Sequence, residues 1–186
     1  SPRFLFDQVD REALGAMTWL RPHFVDDEGR MLLSIHALIV ESQGKKIIVD
    51  TCLGNDKRDR MVEDWNLRTG DFLAQLTQAG FGPESIDTVL CTHMHVDHIG
   101  WNTMLVDGQW VPTFSNARYL YARNEWEHAQ ALESAQAEYL DSVKPVLDAG
   151  LVDVVDSTHA VTDEVTFEPT PGHTVGHVSV HIKSKG

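Results

Sequence analysis

Between Thr92 and Gly100 the chain reads Thr-His-Met-His-Val-Asp-His-Ile-Gly. His93, His95 and His98 supply three imidazoles and Asp97 a carboxylate, all side chains that ligate divalent metals well. On an extended or gently looped backbone His93, His95 and Asp97 share one side, and His98 turns away. Such a segment can serve two neighbouring metal ions. His173 follows Pro171-Gly172, a rigid residue and then a permissive one, which can present a side chain at a sharp turn. Beside the histidine run it becomes a candidate for a further imidazole ligand. The competing reading is a polar loop without chemistry, and so dense a set of ligand types argues against it.

These residues need elements to hold them. An apolar strand over residues 86–91 delivers Thr92 and the run at its C-terminal end. Ahead of it, Phe72, Leu73, Leu76 and Ala79 have helical spacing over residues 69–79, with Gly80 placed to cap the end. Earlier still, residues 31–40 read as a strand, Ser42-Gln43-Gly44-Lys45 as a hairpin turn and residues 46–50 as the returning strand. Beyond the run, residues 103–106 and 109–111 form a hairpin around Asp107-Gly108, and residues 117–121 form a strand. Residues 125–132 and 135–147 look helical, with Pro145 disturbing the second stretch. Strands follow over residues 151–155, 164–167 and 178–182, and residues 183–186 read as a turn. Strand, helix, strand and histidine loop is an α/β order.

Three stretches, in order, resemble the metallo-β-lactamase-fold superfamily. Lys46-Ile47-Ile48-Val49-Asp50-Thr51 resembles its strand ending in Asp, residues 93–98 its H-x-H-x-D-H run, and Thr170-Pro171-Gly172-His173-Thr174-Val175-Gly176-His177 its P-G-H-T-x-G-H turn. The resemblance implies a four-layer αβ/βα sandwich. It implies that His93, His95 and His173 hold one metal, and that Asp97 and His98 hold a second. Two divalent ions are expected, zinc first, with manganese or iron as alternatives. Asp50 would brace the metal loop, and His177 would be a structural hydrogen-bonding residue. Asp97 would be the catalytic residue, orienting a metal-activated water or passing its proton on. The activity implied is hydrolysis of a small ester, lactone or related substrate, with the lactonase-like branch favoured. In the family two more ligands, a bridging Asp and a last His, lie downstream of the turn. Nothing between His177 and Gly186 supplies them, so a further C-terminal segment is expected. Flavodiiron proteins carry Glu where this chain has His95. A mononuclear iron enzyme like the persulfide dioxygenases and a non-catalytic metal-stabilised binding module both stay open.

Composition sets the outer bounds. The 186 residues, 42% hydrophobic and 23% charged, suit one soluble domain. Residues 1–30 read as an N-terminal extension packed on a core domain of residues 31–186. In the extension, Phe4-Leu5-Phe6 is apolar, Asp26-Asp27-Glu28-Gly29 is a turn and His23 is a surface or packing residue. With 28 acidic against 15 basic residues the formal charge is -13, which would repel nucleic-acid backbones. No apolar run approaches the roughly 20 residues of a membrane span. The expected partner is therefore a small molecule, with neither nucleic acid nor membrane; a homo-oligomer is compatible. Ser1-Pro2-Arg3 is not a signal peptide. Cys52 and Cys91 are too few for a disulfide framework and read as buried thiols, compatible with a cytoplasmic location. The cluster Lys57-Arg58-Asp59-Arg60 reads as a solvated loop, and His128 as a solvated helix residue. His36 reads as a mid-strand residue and His159 as a loop residue. Trp101 is a pocket wall or a core anchor, and several tryptophans could line an apolar pocket.

Overall fold

Apolar runs with few charges make strands that are buried on both faces, as residues 47–49, 88–91 and 119–122 are here. The computed structural model describes residues 10–131 and 137–184. Phe4-Leu5-Phe6, the end of the first expected helix, the start of the second and the last two residues of the terminal turn lie outside them. The chain divides into two compact units, residues 1–35 and 36–186. In the first unit, helix α1 (Arg11–Ala16) is capped by Asp10, whose side chain accepts the Ala13 amide at 2.9 Å. The expected turn forms, with Asp26 accepting from the amides of Glu28 and Arg30 at 3.0 and 2.8 Å. His23 is exposed.

In the second unit a five-stranded sheet runs β1 (Leu38–Ser42), β2 (Lys45–Val49), β3 (Thr88–Cys91), β6 (Arg118–Ala122) and β7 (Val152–Val155). Only the β1–β2 pair is antiparallel; Ile48 pairs with Val89, Leu90 with Leu120 and Tyr121 with Val154 in parallel register. Side chains alternate between two cores. Ile48, Val89, Cys91, Tyr119 and Tyr121 face one way, and Ile47, Val49, Leu90, Leu120 and Ala122 the other. The first face packs on Leu76 of α2 (Phe72–Gln78), Tyr139 of α5 (Ala137–Ser142) and Val146 of α6 (Lys144–Asp148). The second packs on Val165, Phe167 and Val178 of the hairpin β8 (Val165–Pro169) and β9 (Val178–Ile182). Each aliphatic side chain buried this way contributes about 2 kcal/mol. Helices, sheet and second sheet form the layered α/β order that the sequence implied.

Several boundaries differ from the sequence reading. The first strand starts at Leu38, not Met31, because β2 offers only five partners; Met31 makes one isolated bridge to Val25. His36 therefore lies ahead of the strand and is exposed, not mid-strand. As expected, Pro145 interrupts the second helical stretch, which splits into α5 and α6. It sits in the first turn of α6, where a missing amide costs nothing, and the chain breaks at Val143. The tight hairpin of β4 (Thr103–Val106) and β5 (Gln109–Pro112) forms as expected, with Asp107 and Gly108 at φ 50° and 76°.

The charge cluster is not solvated throughout. Arg58 and Asp59 are exposed, but Lys57 and Arg60 are buried. Arg60 bonds both Asp141 carboxylate oxygens at 2.8 and 2.7 Å. The Lys57 ammonium donates to Thr103 Oγ1 and the Asp141 carbonyl and lies 3.6 Å from the Trp110 ring centre. A paired, hydrogen-bonded cation can be buried where a bare one cannot.

Candidate metal centre

The carboxyl ends of parallel strands are where open α/β sheets place their ligands. Asp50 follows β2, and the histidine run follows β3. Helix α4 (Arg123–Ala131) follows β6 directly. The turn carrying His173 enters β9, which is tied to the run by the Val178 amide on the Thr92 carbonyl at 3.1 Å.

The run is extended only as far as His95, whose ψ is 155°; Val96–Ile99 then makes one helical turn, α3. Backbone bonds to the loop after β2 hold it there. The Thr51 amide reaches the His98 carbonyl at 2.7 Å, and the Gly100 amide reaches the Cys52 carbonyl at 2.7 Å. A Cβ on Gly100 would lie 1.9 Å from the Leu53 carbonyl carbon, so only glycine permits this crossing. The bend corrects one expectation: His98 is not turned away, and its ring centre lies 4.0 Å from that of His93. Trp101, just beyond, is a core anchor: it is buried and stacks on Phe72 at 5.6 Å.

His93, His95 and His173 offer ring nitrogens that all lie within 4.8 Å of one another. His95 Nδ1 and His173 Nε2 face each other at 3.0 Å. The tautomer of His93 follows from its neighbour. Thr92 Oγ1 is 2.8 Å from Asp50 Oδ2 and gives its one proton to that carboxylate. His93 Nδ1, 3.1 Å from the same oxygen, must then donate. This leaves a lone pair on Nε2, which is buried and has no partner among the described residues. An orphaned acceptor beside two other imidazoles fits a cation, with Nδ1–H held as metal-bound histidines usually hold it. Burial, then the neighbouring His98 and His95, pull the His93 pKa down to about 2. Burial and His173 lower that of His95. Both rings are therefore neutral, the form that binds metal.

Asp97 and His98 form a second pair. His98 Nδ1 is 2.8 Å from Asp50 Oδ2, and His98 Nε2 is 3.4 Å from Asp97 Oδ2. Burial opposes the charged imidazole, but these two carboxylates together outweigh it and raise the His98 pKa to about 9. Burial also opposes the Asp97 charge, yet the His98 hydrogen bond brings its pKa below the ordinary value. Asp50 sits at φ 56° and accepts from the Thr92 amide, the Thr92 hydroxyl and His98. It braces the loop as expected. His177 Nδ1 pairs with Thr170 Oγ1 at 2.9 Å, as a structural histidine would.

Glu125 escaped the sequence reading. It is buried in the first turn of α4 and accepts the Met94 amide at 3.0 Å on one oxygen. The other takes the Thr174 hydroxyl at 2.7 Å and the Gly176 amide at 3.1 Å. One carboxylate thus joins the histidine run to the turn bearing His173. No motif marks it; a lone Glu opening a helix is the only signal.

A cavity of about 430 Å³ opens beside His95 and His173, with Met94, Ile99, Ala129, Tyr139, Val143 and Val175 as its apolar lining. No tryptophan lines it. Trp126 packs on Tyr121 at 5.3 Å instead, and Trp110 carries Lys57. His128 does line the cavity and is half-buried, correcting its reading as a solvated residue. Cys91 is buried, as expected, and Cys52 only half-buried; burial pushes the Cys52 thiol up to about 11.

A doubly covered sheet with a histidine cluster at its carboxyl edge defines an α/β protein whose site could hold a metal ion. The chain belongs to the metallo-beta-lactamase superfamily, whose profile matches residues 30–186. It is 27% identical over 169 residues to an N-acyl homoserine lactonase of Bacillus cereus, covering 82% of this chain and 60% of that protein. A second such lactonase, from a Bacillus species, is 31% identical over 111 residues, 59% of this chain and 38% of the relative. The chain thus spans well under two thirds of these relatives. Among solved structures it is similar to a probable metal-dependent hydrolase from Staphylococcus aureus, with a TM-score of 0.76 at 19% identity, covering 98% of this chain and 64% of that one. It is also similar to AidC, a dizinc quorum-quenching lactonase, with a TM-score of 0.69 at 23% identity, covering 98% and 62%. Among the described residues no helix is long and apolar enough to cross a membrane.

Proposed function

We propose that this chain carries metal-binding residues of a lactonase-like hydrolase acting on a small acyl lactone or ester. The observation that carries the reading is the buried Nε2 of His93, without a partner among the described residues, in a cluster with His95 and His173. These three would hold one divalent cation, zinc first, and Asp97 with His98 would contribute to a second. Such ions, when bound, supply Lewis acidity, which activates water and polarises a carbonyl. The chain's own residues do the rest. Asp50 holds His98 through Nδ1 and leaves Nε2 toward Asp97. Asp97, kept ionised, is the group able to take a proton at the centre. The cavity walls exclude water and hold the acyl arm. The lactonase relatives support this branch of the family.

The test is elemental analysis of the purified protein, followed by a panel of lactones, esters and phosphoesters. About two zinc ions per chain with lactone turnover is the expected result. One iron per chain and no hydrolysis would overturn the reading in favour of dioxygenase chemistry. A metal-free protein would point to a binding module.

A further inference from the structure

Most polar side chains around the cavity are already committed. Both Glu125 oxygens are taken, and the Thr174 hydroxyl spends its proton on one of them. His95 and His173 turn nitrogens toward each other. The Tyr139 hydroxyl accepts from Gln130 Nε2 at 3.1 Å and keeps its own proton, but the side chain is buried. Among the described residues two further lining side chains, His128 on α4 and Glu138 on α5, have no hydrogen-bond partner. An ionised Glu138 can only accept hydrogen bonds, whereas an imidazole always carries at least one N–H. Beside the buried Tyr139 hydroxyl, His128 is therefore the half-exposed donor this wall offers to a ligand.

It is an unusual place for such a group. The apolar lining around it would suit a plain hydrocarbon arm. A half-buried imidazole among those side chains loses water contacts unless the occupant replaces them. Glu138 in the same wall, on a chain of formal charge -13, disfavours an anionic occupant. We infer that His128 is a specificity-determining residue: it donates a hydrogen bond to an acceptor oxygen on the non-reacting arm of a neutral acyl lactone or ester. This rests on the hydrolytic reading given above and adds the chemistry of the arm.

Matched N-acyl lactones of equal chain length, one with a plain arm and one with an oxo group on its third carbon, test it. Initial rates are measured on the metal-loaded, full-length protein and on His128→Leu and His128→Gln, with metal content and unfolding midpoint followed in each. The wild-type protein is expected to favour the oxo substrate in kcat/KM. His128→Leu should lose about 2- to 10-fold of that preference, through KM, with the plain substrate unaffected. His128→Gln, which keeps a donor, should retain it. Should the leucine variant fail to fold, His128→Ala reads the same ratio. No preference in the wild type, or an unchanged ratio in the leucine or alanine variant, overturns the inference and leaves the hydrolase reading standing. Hydrolysis of neither lactone by metal-loaded protein overturns both.

Discussion

The carboxylate of Glu125 accepts the backbone amide of Met94 at 3.0 Å, so a buried charge on α4 fixes the peptide between His93 and His95. Its other oxygen holds Thr174 and Gly176, next to His173. The three histidines come from segments about 80 residues apart in sequence, and Glu125 relates them together with the Val178–Thr92 backbone bond. Glu125→Gln should therefore weaken zinc binding by about 10- to 100-fold. A glutamine can satisfy one side with its oxygen, but its amide group meets donors on the other. Competition with a chelator measures the change. Zinc affinity equal to that of the wild type would show that the histidines hold their places without this carboxylate.

Asp97 and His95 test two different parts of the centre. Asp97→Asn keeps the shape and removes the charge that His98 Nε2 faces at 3.4 Å. Turnover should fall by about 100-fold or more, while the urea midpoint moves little. Equal losses in both would make Asp97 a structural residue. His95→Ala removes one of three clustered nitrogens and should strip at least one metal together with activity. Full activity in that variant would sink the assignment of the histidine cluster.

Local patterns were readable where a residue's neighbours in sequence decide its structure. The aliphatic strands 47–49 and 88–91, the turn at Gln43-Gly44 and the helix over residues 72–78 fall where spacing puts them. Even the bracing of the histidine loop by Asp50 was implied by the family resemblance, although its partner Thr92, 42 residues on, was not named by it. What the sequence hid depends on packing between segments. The bend after His95 is set by bonds from Thr51 and Cys52. Lys57 and Arg60 look like surface charges until Asp141, some 80 residues on, meets them. Glu125 has no motif because two of its three partners are backbone amides, which every residue type supplies.

The approach of the His173 turn to α4 depends on an absent side chain. A Cβ on Gly176 would stand 2.0 Å from the Glu125 amide nitrogen and 2.5 Å from its Cα. Backbone atoms there cannot give way without moving the start of α4 or the turn. Gly176→Ala should destabilise the protein by about 3 kcal/mol or more, or reshape the site so that metal is lost. Gly44→Ala is the comparison, since its added Cβ meets nothing within 4 Å and strains only the turn. Urea unfolding of both, with zinc content, decides it. A Gly176→Ala protein as stable and as zinc-rich as Gly44→Ala would refute this close contact.

Lys57 is the surplus cation in its cluster. Arg60 already spans both oxygens of Asp141, while Lys57 lies 3.6 Å from one of them. Burial first, with Arg60 adding to it against the pull of Asp141, lowers the Lys57 pKa from 10.5 to about 7. The sign for stability follows from proton counting. Between about pH 7 and 10.5 the unfolded chain keeps this proton and the folded chain has released it. Raising the pH across that window therefore favours the folded state. Lys57→Met leaves Asp141 paired with Arg60 and removes the titrating group. The stability of the wild type relative to the variant should then climb from pH 7 toward pH 10 and stay flat below pH 7. Urea midpoints of the two proteins, taken at half-unit steps under the same metal conditions, measure the difference. Parallel curves across the window would mean that Lys57 keeps its charge in the folded protein and that Asp141 serves both cations.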